Sequence, residues 1–94
     1  MIIDPEEHEL AAVMDRLPSV SACRVVEIGC GDGRLTRRYA SRVASVLAVD
    51  PDQALIGAFR AFGVDANVDV RAASYDRLDL LERSVDAVVF SWSL

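Results

Sequence analysis

Ninety-four residues allow one domain at most, and 52% apolar with 27% charged residues is the composition of an ordinary globular protein. A formal charge of −5 argues against a surface built to coat a phosphate backbone, and no apolar run is long enough to cross a bilayer. No stretch resembles a cleavable leader, so the expectation is a cytoplasmic protein with no membrane partner.

The chain reads as a single 1–94 domain, with an N-terminal helix and lead-in over 1–22 and a βαβ core over 23–94. Asp4-Pro5-Glu6-Glu7 has the signature of a helix start: a capping acid, Pro in the first turn and acids near the positive end of the dipole. Leu10, Val13, Met14 and Leu17 then recur at helical spacing, and Pro18 ends the run. His8, the only histidine, falls on this helix and reads as a surface residue. Cys23–Ile28 is β-rich and ends at a glycine cluster, which makes it the first core strand. Leu35, Tyr39 and Val43 mark the buried side of the helix that follows. Arg34, Arg37, Arg38 and Arg42 lie on or near one stripe, read as a solvated face in preference to a nucleic-acid surface.

The alternation repeats. Ser45–Val49 is a second strand ending at Asp50-Pro51, Ala54–Phe62 a helix closed by Gly63, and Asn67–Ala72 a third strand. Leu78–Glu82 is a short helix or turn, and Val85–Ser91 a fourth strand, apolar on both faces beyond Asp86. Strands alternating with helices imply a parallel sheet, and the fold class is α/β, a Rossmann-like parallel sheet with flanking helices. Cys23 and Cys30 lie seven apart with no CxxC pair and no nearby His, so neither a metal site nor a disulfide framework is expected.

The chemistry concentrates in Val25-Val26-Glu27-Ile28-Gly29-Cys30-Gly31-Asp32-Gly33. Glycines between a strand and a helix permit a tight turn and let a ligand touch the backbone. Asp50 lies twenty-one residues past Gly29, at the end of the next strand, where a carboxylate can accept hydrogen bonds from both hydroxyls of a ribose. A dinucleotide fingerprint would place glycine where Arg34 stands. Asp32 would also repel a diphosphate at that turn. S-adenosylmethionine carries no phosphate, only a sulfonium and the ammonium and carboxylate of an amino acid, and an acid-bearing turn suits it better.

The run Val25–Gly33 resembles motif I of class I S-adenosylmethionine-dependent methyltransferases, and Ala48-Val49-Asp50 resembles their second motif. Ala73–Leu94 is similar to the third and fourth motifs, so the resemblance covers nearly all of the chain after residue 22. It implies S-adenosyl-L-methionine as cofactor, with Glu27, Gly29 and Gly31 along its methionine end, Asp50 on the ribose and Asp52 near the adenine edge. The expected cofactor-binding set is Glu27, Gly29, Cys30, Gly31, Asp50, Pro51, Ser74 and Ser91. Many members of the family carry an acid near Ser74, where serine offers one weaker hydrogen bond. The family fold also usually continues for three more strands, so the chain reads as truncated after its fourth.

The resemblance implies methyl transfer to an acceptor that the sequence does not identify, and no residue qualifies as a general base. The isolated chain is expected to show little or no activity. Two alternatives stay open: a non-catalytic cofactor-binding or interaction module, and a nucleotide-dependent oxidoreductase of NAD type. In the resembled strand order, 3-2-1-4, strand 85–91 would be an unpaired edge. Self-association or a partner chain along it is therefore expected.

Overall fold

A computed structural model describes residues 2–3, 20–74 and 86–91. The expected helix over residues 4–17, the short helix or turn at 78–82, and Trp92 lie outside the described residues. Five strands, β1 (Ile2–Ile3), β2 (Arg24–Ile28), β3 (Ser45–Asp50), β4 (Val68–Ala72) and β5 (Ala87–Phe90), form one sheet in the order β1-β5-β2-β3-β4. Every pairing is parallel. The four longer strands take the order expected, with one boundary of each shifted by a single residue where both ends are described.

Strand β5 is not an edge, which corrects the sequence-based expectation for residues 85–91. Ile2 pairs with Val88 and Ile3 with Val89, so a two-residue strand from the start of the chain covers that side. Two β-branched residues are too short to show alternation, and the acid-Pro pattern beginning at Asp4 drew the whole segment into a helix. The edge carried by a long strand is β4 instead. It is interrupted by Asp69 and Arg71, exposed side chains joined by an ion pair with Nη2–Oδ2 at 2.7 Å. Charges of this kind discourage edge-to-edge pairing.

Register explains the core. Val25, Val46, Val68 and Ala87 align across β2, β3, β4 and β5, and Val70 and Val89 continue the same face. Against it pack Leu35, Tyr39, Val43, Ile56 and Phe59 from the helical connections. Val26, Ile28 and Val49 form a second buried cluster, with Leu47, Val88 and Phe90 packed on it. Apolar residues on both faces are what a parallel sheet requires. Each fully buried Ile or Phe is worth about 1.5–3 kcal/mol relative to exposure.

The connection after β2 is more irregular than its periodicity suggested. Helix α1 spans only Thr36–Tyr39 and tightens into a 3-10 turn, Ala40–Arg42. Asn67, at the start of β4, donates from Nδ2 to the carbonyls of Ala40 (2.7 Å) and Val43 (3.1 Å), satisfying acceptors that a longer helix would have paired internally. The second helix, α2 (Gln53–Phe62), is regular, opened by Asp52 and closed at Gly63. Asp52 Oδ1 accepts from the N–H groups of Ala54 and Leu55, at 2.9 and 3.2 Å. Arg60 ties α2 to the sheet by donating to the Val70 carbonyl at 2.7 Å.

Candidate functional site

The carboxyl ends of β2, β3 and β5 meet at the glycine turn. Gly29 and Cys30 donate their N–H groups to the Val49 carbonyl at 2.8 and 3.0 Å, and Ser91 donates to the Ile28 carbonyl at 2.8 Å. Gly29, Gly31 and Gly33 all have positive φ, at 80°, 55° and 86°. At Gly33 the reason is packing as well as conformation. A Cβ there would lie 2.5 Å from the Phe59 ring, so glycine lets the turn sit directly on α2. The sequence had suggested a tight turn and ligand access for these glycines, and the packing of Gly33 on Phe59 is added by the fold.

Asp50 is 7% exposed and holds the site together from the end of β3. Its Oδ2 accepts from the Gly31 N–H at 3.0 Å and its Oδ1 from the Asp52 N–H at 2.8 Å. One carboxylate thus joins the glycine turn to the loop that opens α2. Each oxygen has a further lone pair, so the group retains acceptor capacity toward a ligand. Pro51 is exposed beside it, and Ser74, exposed, follows the end of β4. Ala73 connects that strand end to the same place, donating its N–H to the Asp50 carbonyl at 3.2 Å.

Glu27 is fully buried under α1. Its Oε1 accepts from the Thr36 hydroxyl at 2.9 Å and from the Tyr39 hydroxyl at 2.6 Å. Its Oε2 is also buried and has no hydrogen-bond partner among the described residues. Burial raises the Glu27 pKa above the usual carboxylate range, opposed in turn by the Tyr39, Thr36 and Ser91 hydroxyls, which favour the charged form. Burial, reinforced by the Glu27 charge, likewise pushes the Tyr39 phenol upward, so it stays protonated and donates.

Cys30 is buried in the turn, and burial together with the Glu27 and Asp50 charges drives its thiol well above the ordinary range. A thiol so disfavoured from ionising is no nucleophile, and what Cys30 can offer a ligand is backbone. Thr36 and Tyr39 are the polar residues that the sequence reading missed, since Tyr39 was counted there only as apolar surface. The available signal was Glu27 itself: an acid in the apolar run Val25–Ile28 demands donors nearby. Thr36 and Tyr39, three residues apart on one helix face, supply them.

Two other acids have local roles. Asp32 accepts from the Arg34 N–H at 3.3 Å within the turn, and the Arg34 guanidinium lies 3.7 Å from its carboxylate. Asp86 accepts from the Arg24 N–H at 2.8 Å and pins the start of β5 to that of β2. Arg37 leaves the solvated stripe expected of it. Its guanidinium lies 3.9 Å from the Phe62 ring centroid and donates to the Asp32 carbonyl at 2.9 Å. An open groove of about 450 Å³ lies elsewhere, along Arg24, Val26, Ser45, Leu47, Asn67 and Asp69 near the amino ends of the strands.

Fold and site together define a Rossmann-like domain in which a glycine turn and a strand-end acid meet at the carboxyl ends of a parallel sheet. The match to a family model for the methyltransferase domain spans residues 25–94, and the chain belongs to that family, in its class I S-adenosylmethionine-dependent branch. It is 32% identical over 79 residues to an uncharacterized methyltransferase of Schizosaccharomyces pombe, covering 84% of this chain and 30% of that one. Among solved structures it is similar to an S-adenosylmethionine-dependent methyltransferase of Mesorhizobium loti (30% identity, TM-score 0.70, 90% of this chain and 39% of that one). It is also similar to phosphoethanolamine N-methyltransferase 1 of Haemonchus contortus, solved with phosphoethanolamine and S-adenosylhomocysteine (28% identity, TM-score 0.73, 88% and 18%). The chain therefore spans well under half the length of each of these relatives.

Proposed function

We propose that this domain binds S-adenosyl-L-methionine at the carboxyl ends of β2 and β3 and forms the donor-binding part of an enzyme that methylates an acceptor. The observation that carries the reading is the pair of acids at the turn: Asp50, bonded to the Gly31 N–H, and Glu27, with a buried oxygen left over. No Lys or Arg side chain pairs with either carboxylate among the described residues. Two uncompensated acids suit a ligand carrying a sulfonium and an ammonium and oppose a diphosphate, which disfavours the oxidoreductase alternative. Helix α1, four residues long, also offers little dipole for a phosphate.

In this reading Asp50 holds the ribose hydroxyls, with Pro51 beside them. The backbone of Gly29, Cys30 and Gly31 lines the amino-acid end together with Glu27. Ser91 borders that end and Ser74 the base. The cofactor supplies an electrophilic methyl group on sulfur. The residues of this chain hold and orient the donor and keep it dry, the positioning component of a displacement reaction. No residue is assigned as a base, and the acceptor class is left open. Self-association along 85–91 is not proposed, because β1 already pairs with Val88 and Val89. No helix among the described residues is long and apolar enough to cross a membrane. A cytoplasmic location belongs to the same proposal.

The test is calorimetric titration with S-adenosylhomocysteine of the parent, Asp50→Ala and Asp65→Ala, the last an exposed loop acid outside the site. Asp50→Ala is expected to weaken binding by about 1.5–3 kcal/mol, the worth of a charge-assisted hydrogen bond. Equal affinities for all three proteins would remove Asp50 from the site.

A further inference from the structure

Glu27 presents an asymmetry that the bare assignment of an acid to the amino-acid end does not explain. Both donors from α1, the Thr36 and Tyr39 hydroxyls, converge on one oxygen, Oε1, at 2.9 and 2.6 Å. The other oxygen is equally buried and has no partner among the described residues. A merely structural carboxylate would distribute its donors, because leaving a buried acceptor unsatisfied is costly, more so when it is charged. The sheet neighbours of Glu27, Ala48 on β3 and Val89 on β5, bring no charge. Cys30 in the turn is a neutral thiol, Asp50 at the end of β3 is a like charge, and the Ser91 hydroxyl past β5, near enough to favour the charged form, makes no hydrogen bond to Oε2.

We propose that Thr36 and Tyr39 are positioning residues for cofactor binding: by occupying Oε1 of Glu27 they fix the carboxylate plane and reserve Oε2 for the ligand's ammonium. The inference rests on the reading of the site given above and adds two residues to it, neither of which touches the ligand. Capture of the ammonium requires a local opening over Oε2, which is closed to water in the structure. Because the ammonium binds the charged carboxylate, any proton on Glu27 must leave as the ligand arrives. Removing the Tyr39 donor destabilises that charged form, so acidification should abolish binding at a higher pH than in the parent.

The experiment is calorimetric titration of the parent, Tyr39→Phe and Thr36→Val with two probes over a range of pH. The probes are S-adenosylhomocysteine and 5′-methylthioadenosine, the same thioether nucleoside without the amino-acid end. Both substitutions keep side-chain shape, and thermal melting checks that each variant is folded. Tyr39→Phe is expected to weaken S-adenosylhomocysteine about tenfold, the size of one hydrogen bond to a charged group, with a smaller loss for Thr36→Val. Methylthioadenosine affinity should stay at the parent value, and the acid limb of the homocysteine profile should move to higher pH. Equal losses for both probes, or an unmoved acid limb, would overturn the positioning role while leaving the cofactor reading intact. A parent protein that binds neither probe would overturn the cofactor reading and this inference with it.

Discussion

At the scale of single residues, glycines in this chain do opposite things, and the difference is measurable. Gly33 combines a φ of 86° with a Phe59 ring 2.5 Å from where a Cβ would stand. Gly57, on the exposed side of α2, has nothing within 4 Å. Gly33→Ala is expected to cost about 2–4 kcal/mol, from left-handed backbone strain plus overpacking. Gly57→Ala should stabilise by about 0.5–1 kcal/mol through helix propensity. Urea denaturation of the two variants checks both signs, and equal effects would show that the turn does not rest on α2 as described.

Glu27 supplies a second residue-scale expectation. Its carboxyl is raised above the usual 4.5 by burial, so between the unfolded and folded values the native state binds more protons than the unfolded one. The stability that it contributes is complete below the unfolded value and is lost as pH rises through the folded one. Glu27→Gln, which cannot ionise, should remove that decline. The gap in urea midpoint between variant and parent should then move in favour of the variant as pH rises. A gap independent of pH would mean that Glu27 is not desolvated in the folded protein.

At the scale of elements, the four longer strands and α2 were legible because each has a local cause. The strands have β-branched runs bounded by turn residues, and α2 has an acid cap in front and a glycine behind. What escaped depended on contacts distant in sequence. Beyond the single turn of α1, Asn67, just before β4, takes the Ala40 and Val43 carbonyls. Asp52, which the resemblance placed near a base, is engaged in capping α2. The Thr36–Tyr39–Glu27 network needed the knowledge that α1 lies over β2. Strand β1 has no sequence signature at two residues, yet it decides which strand is the edge. Ile3→Pro removes a backbone N–H from that strand and disfavours its close approach to β5. The variant is expected to self-associate in light scattering across a dilution series where the parent does not. Identical behaviour would show that β1 does not protect β5.

At the scale of the whole molecule, the site follows from where a parallel sheet presents its strand ends. The place of Asp50 at a strand end, twenty-one residues beyond the first glycine, was legible in the sequence. Its bracing of Gly31 needed the fold. The acids that the sequence placed at the glycine turn and at the end of the next strand divide in the structure. Glu27 is buried against the α1 hydroxyls and Asp50 braces Gly31, while Asp32 is engaged with Arg34 and Asp52 with its helix. The remaining preference is for a cationic nucleoside over a phosphorylated one. It is tested most directly by titrating the protein with S-adenosylmethionine and, separately, with NAD at the same concentrations and pH. Saturable binding of S-adenosylmethionine with no heat from NAD is the expected result. Tighter binding of NAD, or the same weak response to both, would contradict the account.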